Sequence, residues 1–321
     1  MSTATVSRTL SGRGPVSEAT RQRVLRAAEA LQYLPSAAAR SLRTQRTMTI
    51  GVLVPDLANP VFVPFLRGVQ NVAHERGYAV LVVDGQRSLA VERLALRRLR
   101  AQGIDALVLA GPARDPALVE ELRSGGIVVL DPDFGEPRGS LLARLERPGT
   151  DAMCDALAAL GHRRVAYVAR ELVSGSLGQR RWYAMRDRWR GRGVALERVI
   201  VGRRRAPSDL AALLTAAVAR PEPATALICS THGLAPALLR GAHAAAIDIP
   251  GDCSLVTYGD SEWAEAYRPA LSVVAFDLYE VAVAVTAEVI GQLDGGPPSR
   301  ARALLEPARF VARESTAAAR T

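Results

Sequence analysis

From Met48 onward, short apolar runs alternate with amphipathic stretches, and this alternation constrains the fold more than any other feature of the chain. The runs are Ile50–Val54, Ala79–Val83, Ala106–Leu109, Ile127–Leu130, Val165–Val168, Val199–Val201, Ala226–Cys229, Leu255–Val256 and Leu271–Phe276. A strand that is apolar on both faces needs cover on both faces, which a parallel sheet flanked by helices provides. The intervening stretches carry helical spacing. Phe62, Phe65, Leu66, Val69, Val72 and Ala73 share one face, and Gly77 stops that helix. The pattern predicts an α/β chain with two doubly wound subdomains of parallel sheets. They divide near residue 148, into 48–148 (with 276–302 returning to it) and 149–275 (with 303–321). Such sheets bind ligands at the carboxyl ends of their strands, so a cleft between two of them is the expected site.

Residues 1–47 follow another pattern. Thr3 to Leu10 reads as a short helix, and Ser11-Gly12-Arg13-Gly14-Pro15 as a turn. Ser17 is placed to cap a second helix, in which Val24, Leu25, Ala28 and Leu31 recur at helical spacing. Pro35 sets off an alanine-rich segment, Ser36–Arg43, and Gln45-Arg46-Thr47 reads as a linker. The net charge is +9, and every basic side chain other than histidine is arginine. Arginine without lysine also fits a GC-rich genome, so placement carries the argument. Arg8, Arg13, Arg21, Arg23, Arg26, Arg40, Arg43 and Arg46 stand here against Glu18 and Glu29 alone. A polyanion partner calls for such a concentration of positive charge. In the first helix Val6 and Leu10 face inward, leaving Thr3, Ala4, Ser7 and Arg8 on or near the other face. Arg8 is the best base reader, because its guanidinium can bond guanine through two hydrogen bonds.

Other features narrow the function class. No apolar run approaches the ~18 residues of a membrane span, and the N-terminus has no signal-peptide core, so a cytoplasmic protein is expected. Cys154, Cys229 and Cys253 lack the spacing of a disulfide framework or a zinc knuckle and read as buried thiols. His74, His162, His232 and His243 are scattered without metal-ligand spacing. No catalytic constellation, cofactor motif or metal site is indicated, and an enzyme is not expected.

Read in order, a set of landmarks resembles the lactose/galactose repressor family over residues 1–316. They are Thr5-Val6-Ser7-Arg8, Val16-Ser17-Glu18-Ala19-Thr20-Arg21, Tyr33-Leu34-Pro35, Ala39-Arg40-Ser41-Leu42-Arg43, Thr49-Ile50-Gly51-Val52, Asn59-Pro60-Val61-Phe62, Leu160-Gly161-His162, Ile249-Pro250-Gly251-Asp252 and Val311-Ala312-Arg313-Glu314-Ser315. The resemblance implies a helix-turn-helix headpiece and hinge helix (1–47) ahead of a periplasmic-binding-protein-like core. It enters the three-helix headpiece after the first helix. The expectation is therefore that roughly fifteen residues precede Met1, which falls on a valine whose GTG codon can serve as a start.

The resemblance assigns roles residue by residue. Thr3, Ala4 and Arg8 occupy base-reading positions. Thr5, Ser7, Ser11 and Ser17 occupy phosphate-contact positions. In the hinge, Ala39 and Leu42 contact DNA, with Leu42 as the wedge that kinks the minor groove. A hinge helix well under ~12 residues is not stable alone, so it folds when two copies pair over DNA. The implied function is a ligand-responsive regulator, a repressor, binding a pseudo-palindromic operator as a homodimer. In the effector site Phe62 supplies a wall, Arg181 anchors the ligand, and Asp260 and His232 line the cleft. Three polar landmarks differ from the family. Leu145-Glu146 replaces Asp-Asn, Thr231-His232 replaces Asn-Asp, and Gly259 replaces the first aspartate of an Asp-Asp pair. Ala184 also replaces a glycine after Arg181. A sugar effector is therefore not assumed. The alternative is a sensor that is defective in DNA binding or binds only a small molecule.

Overall fold

The computed structural model describes residues 2–11, 14–32, 41, 46–111, 115–130, 141–170, 176–202, 207–219, 221–296 and 305–320. They form two compact units, Met1–Thr49 and Ile50–Thr321.

The first unit contains α1 (Thr3–Ser11) and α2 (Glu18–Ala30). Ser2 caps α1, its hydroxyl accepting from the Thr5 amide at 3.2 Å. Thr9 of α1 and Val24 of α2 are buried. A threonine can be buried there because its hydroxyl donates to the Thr5 carbonyl one turn back, at 2.9 Å. Val6, expected to face inward, is half-buried. Ser17 stands at the N-cap of α2 as expected. Its hydroxyl bonds the Thr20 hydroxyl at 2.9 Å, not a backbone amide of the first turn.

The second unit holds two sheets. The first has the order β2 (Ala79–Asp84), β1 (Thr49–Val54), β3 (Ala106–Leu109), β4 (Val128–Leu130), with β1, β3 and β4 parallel. Helices α3 (Phe62–Glu75), α4 (Leu89–Ala101) and α5 (Pro116–Ser124) connect its strands. The second sheet has the order β10 (Arg309–Val311), β9 (Ser272–Ala275), β8 (Ser254–Tyr258), β7 (Ala226–Cys229), β5 (Arg164–Ala169), β6 (Ala195–Ile200). It is parallel throughout except for β10, which runs antiparallel to β9. Its helices are α6 (Leu141–Ala159), α7 (Leu177–Trp189), α8 (Pro207–Val218), α9 (Ala235–Ala244) and α10 (Glu262–Ala266). Central strands β3, β7 and β8 are buried at every residue, which is why β3 and β7 read as unbroken apolar runs; in β8, Ser254 and Thr257 interrupt the run.

After β9 the chain returns to the first sheet's helices, and α11 (Leu278–Leu293) packs on α3. Gly68 permits the approach. A Cβ there would lie 2.7 Å from the Tyr279 carbonyl oxygen and 2.9 Å from Ala282 Cβ. The C-terminal segment straps the second sheet. Ser315 accepts from the Leu255 amide through its carbonyl at 2.8 Å and donates its hydroxyl to the Leu255 carbonyl at 2.6 Å. No helix among the described residues is long and apolar enough to cross a membrane.

Candidate functional site

Two sets of residues carry the functional expectations, one in each unit. On α1, Ala4 and Arg8 are exposed, Thr5 is half-buried and Thr9 is turned inward. This gives the helix a buried face and a solvent face, as groove binding requires. Thr3, Ser7 and Ser11 lie on α1, and their side chains are outside the described residues, as is that of Leu10. Ala39 and Leu42 also lie outside the described residues. Ser17 is exposed at the start of α2, where a helix N-terminus offers free amides and the positive end of the dipole to an anion.

The second set gathers at the carboxyl ends of β7 and β8. Arg181, on α7, is 9% exposed, and Glu146, on α6, is 3% exposed. Arg181 Nε donates to one Glu146 oxygen at 2.7 Å while an amino group of the same guanidinium bonds the other. The remaining amino group donates to the Ser230 carbonyl, just past β7, at 2.6 Å. The guanidinium carbon lies 4.2 Å from the centre of the Tyr258 ring, at the end of β8. The Tyr258 hydroxyl bonds the Thr150 hydroxyl at 3.1 Å. Burial alone lowers the pKa of Arg181, and Glu146 beside it more than offsets this, holding the guanidinium above its ordinary value.

His232 lies on a 3-10 turn, His232–Leu234, directly after this strand end, and is fully buried. Its Nε2 is 2.6 Å from the Ser261 hydroxyl, and its ring centre is 4.5 Å from that of Trp263. Its Nδ1 and the Thr231 hydroxyl are buried without a hydrogen-bond partner. Burial lowers the His232 pKa to about 4, with Asp260 opposing, so the ring is neutral at physiological pH. Asp260 is held in a fork by Arg313, at 2.9 and 2.8 Å.

The loop after β1 reaches the same strand ends. Asn59 is buried, and a Cβ at Gly233 would lie 3.3 Å from its side chain. Gly259 has φ +93°, and a Cβ there would lie 2.7 Å from Val61 Cγ2. Val61 thus occupies the space in front of Gly259, and Phe62 follows it, half-buried, at the start of α3. Of the expected effector residues, Arg181 and His232 line these strand ends, and Asp260 lies beside them with its carboxylate committed to Arg313. The sequence reading missed Glu146 as Arg181's partner. The available signal was a glutamate one turn from Leu142 and from Thr150 in an otherwise uncharged helical stripe.

His162 is structural. Its ring nitrogens sit 2.9 Å from the Thr225 hydroxyl and 3.1 Å from the Ala317 carbonyl. Cys154, Cys229 and Cys253 are buried free thiols, and burial raises the pKa of each, Cys229 to about 12. Such thiols are inert. Among the described residues no cluster of histidine, cysteine and carboxylate side chains could hold a metal ion.

A model of periplasmic binding protein-like domains matches residues 154–316, just over half the chain. A second model, of bacterial regulatory proteins of the lacI family, matches residues 1–36. The chain belongs to the lactose/galactose repressor (LacI/GalR) family. Its relatives include the ribose operon repressor of Halalkalibacterium halodurans, 27% identical over 98% of this chain and 94% of that protein. The repressor CytR of Escherichia coli is 27% identical over 92% of this chain and 87% of its own length. Among solved structures, the lac repressor dimer bound to operator and the anti-inducer ONPF superposes with a TM-score of 0.78 at 21% identity, covering 98% of this chain and 95% of that one. A LacI family regulator from Enterococcus faecium with bound ribose gives a TM-score of 0.68 at 22% identity, over 85% of this chain and all of its own. Both of these curated relatives are repressors. The chain shares their architecture and is a DNA-binding transcriptional regulator of the family.

Proposed function

We propose that this LacI/GalR family member is a cytoplasmic repressor that binds a pseudo-palindromic operator as a homodimer and responds to a small effector held at the ends of β7 and β8. The observation that carries the reading is α1, with Ala4 and Arg8 on its solvent face and Thr9 packed inward, inside the segment that the lacI family model matches. Each protomer then places α1 in the major groove, where Arg8 reads a guanine. Thr3, Thr5, Ser7, Ser11 and Ser17 supply base-edge and phosphate contacts around it. Ala39 and Leu42 act at the centre of the operator, where Leu42 wedges a base step apart. Unstacking costs a few kcal/mol, which the larger protein–DNA interface of the bent duplex offsets. Occupancy of the cleft changes the equilibrium between core conformations and thereby operator affinity.

The test is fluorescence-anisotropy titration of wild type and Leu42→Ala against inverted-repeat duplexes and random-sequence DNA over a salt series. Wild type is expected to bind one inverted repeat at least ~10³-fold more tightly than random DNA. Leu42→Ala is expected to lose that preference while keeping the random-DNA affinity. Equal, weak binding to every duplex would favour the alternative, a sensor that does not read DNA.

A further inference from the structure

We propose that Glu146 sets the specificity of the effector cleft: its carboxylate takes the place of a ligand anion on Arg181, so the molecule accepted at the ends of β7 and β8 is uncharged. The inference rests on the effector reading given above and narrows the chemistry of its ligand.

A guanidinium presents five N–H groups in one plane, and its two-pronged edge is the part that grips a carboxylate or phosphate. In this chain Nε and one amino group of Arg181 are turned on both oxygens of Glu146, and the other amino group reaches the Ser230 carbonyl at 2.6 Å. Tyr258 covers the ring-facing side at 4.2 Å. An incoming anion would have to displace Glu146 and leave a carboxylate that is 3% exposed without its cation. Losing one partner of a buried pair is far costlier than one new ion contact is worth. Arg313, the arginine that holds Asp260, is also committed in a fork. Position 259 offers no carboxylate to sugar hydroxyls, and Val61 fills the space in front of it. Two neutral groups just past the end of β7 await a partner. His232 Nδ1 and the Thr231 hydroxyl are buried and unsatisfied, and the Trp263 ring packs against His232. Buried polar atoms are normally paired, so a ligand carrying hydroxyl, amide or ring-nitrogen groups answers them without supplying charge.

The experiment is thermal unfolding of the full chain at pH 7.5, for wild type and Glu146→Ala, in sodium acetate against sodium chloride at equal ionic strength. Wild type is expected to unfold at the same temperature in both salts. Glu146→Ala is expected to unfold lower in chloride and to recover about 3 °C or more, saturably, in acetate, which now occupies the vacated position on Arg181. Should the variant not fold in chloride, its soluble yield in the two salts gives the same reading. Yield restored by acetate supports the assignment, and equal yields overturn it. Acetate stabilisation of wild type, or a folded Glu146→Ala that acetate leaves unchanged, also overturns it. A second arm compares ribose with ribose 5-phosphate on wild type. Saturable stabilisation by the phosphate ester beyond that given by ribose overturns the proposal, and none beyond ribose supports it. Neither arm involves DNA, so failure of the regulator reading would show separately, as loss of operator preference.

Discussion

Substituting Gly259 probes the close approach of the first-sheet loop to the second sheet, and its cost can be worked out in two parts. The first part is backbone. Gly259 sits at φ +93°, a region that costs an L-residue roughly 1–2 kcal/mol. The second part is contact. The new Cβ of Gly259→Ala would meet Val61 Cγ2 at 2.7 Å and His232 Cβ at 3.4 Å. Forcing a methyl group into a filled site costs about 1–3 kcal/mol. The total expected loss is about 2–5 kcal/mol, or roughly 5–10 °C in melting temperature for a unit of this size. A double-mutant cycle with Val61→Ala separates the parts, because removing the Val61 methyls relieves the contact and leaves the backbone term. Urea denaturation of the four proteins should give a coupling of at least ~1 kcal/mol, with Gly259→Ala less costly in the Val61→Ala background. Additive effects, or a Gly259→Ala loss below ~0.5 kcal/mol, would refute the claim that Val61 fills the space in front of Gly259.

Arg181→Met should cost about 3–5 kcal/mol in urea denaturation, because it strands the buried Glu146 carboxylate, and Arg181→Met with Glu146→Gln should recover much of that loss. The His232 pKa is lowered on folding to about 4 by burial, so the unfolded chain takes up its proton first as pH falls. Stability should hold above pH ~6.5 and decline between there and pH ~4, by at most about 3 kcal/mol from this residue. His162, lowered by the same cause, adds with the same sign, and His232→Gln should flatten the decline when chemical denaturation is repeated across that range. Arg313→Ala should cost about 1–3 kcal/mol, since it leaves Asp260 and the Leu271 carbonyl without the donor they share; melting curves of the purified variant check it.

The core was legible because its central strands are buried on both faces. Ala106–Leu109 and Ala226–Cys229 were readable to the residue, having no solvent face to interrupt the apolar run. Strand β6 showed only its last residues, since it is an edge strand whose polar positions, such as Glu197 and Arg198, interrupt the apolar pattern. Strand β10 was missed. It has three residues and runs antiparallel at the sheet edge, held by pairing with β9 more than by its own pattern. In the first unit both helices followed from apolar spacing, and Gly12 and Arg13 of the expected turn lie outside the described residues. Thr9 was not foreseen as a buried residue, because its hydroxyl is satisfied within its own helix turn. In the cleft, Arg181 was found through resemblance and Glu146 was not. The two lie thirty-five positions apart, and only the packing of α6 against α7 brings them together.

The central claim, that α1 reads DNA sequence, is tested most directly by selecting binding sites from a random duplex library with wild type and Arg8→Ala in parallel at one salt concentration. A two-fold symmetric motif is predicted for wild type, its half-sites one helical turn or a multiple apart. Arg8→Ala should keep the motif's symmetry but lose preference at one base pair in each half-site, a change of about 1–3 kcal/mol there. No enriched motif with wild type, or an unchanged motif with Arg8→Ala, would contradict the account.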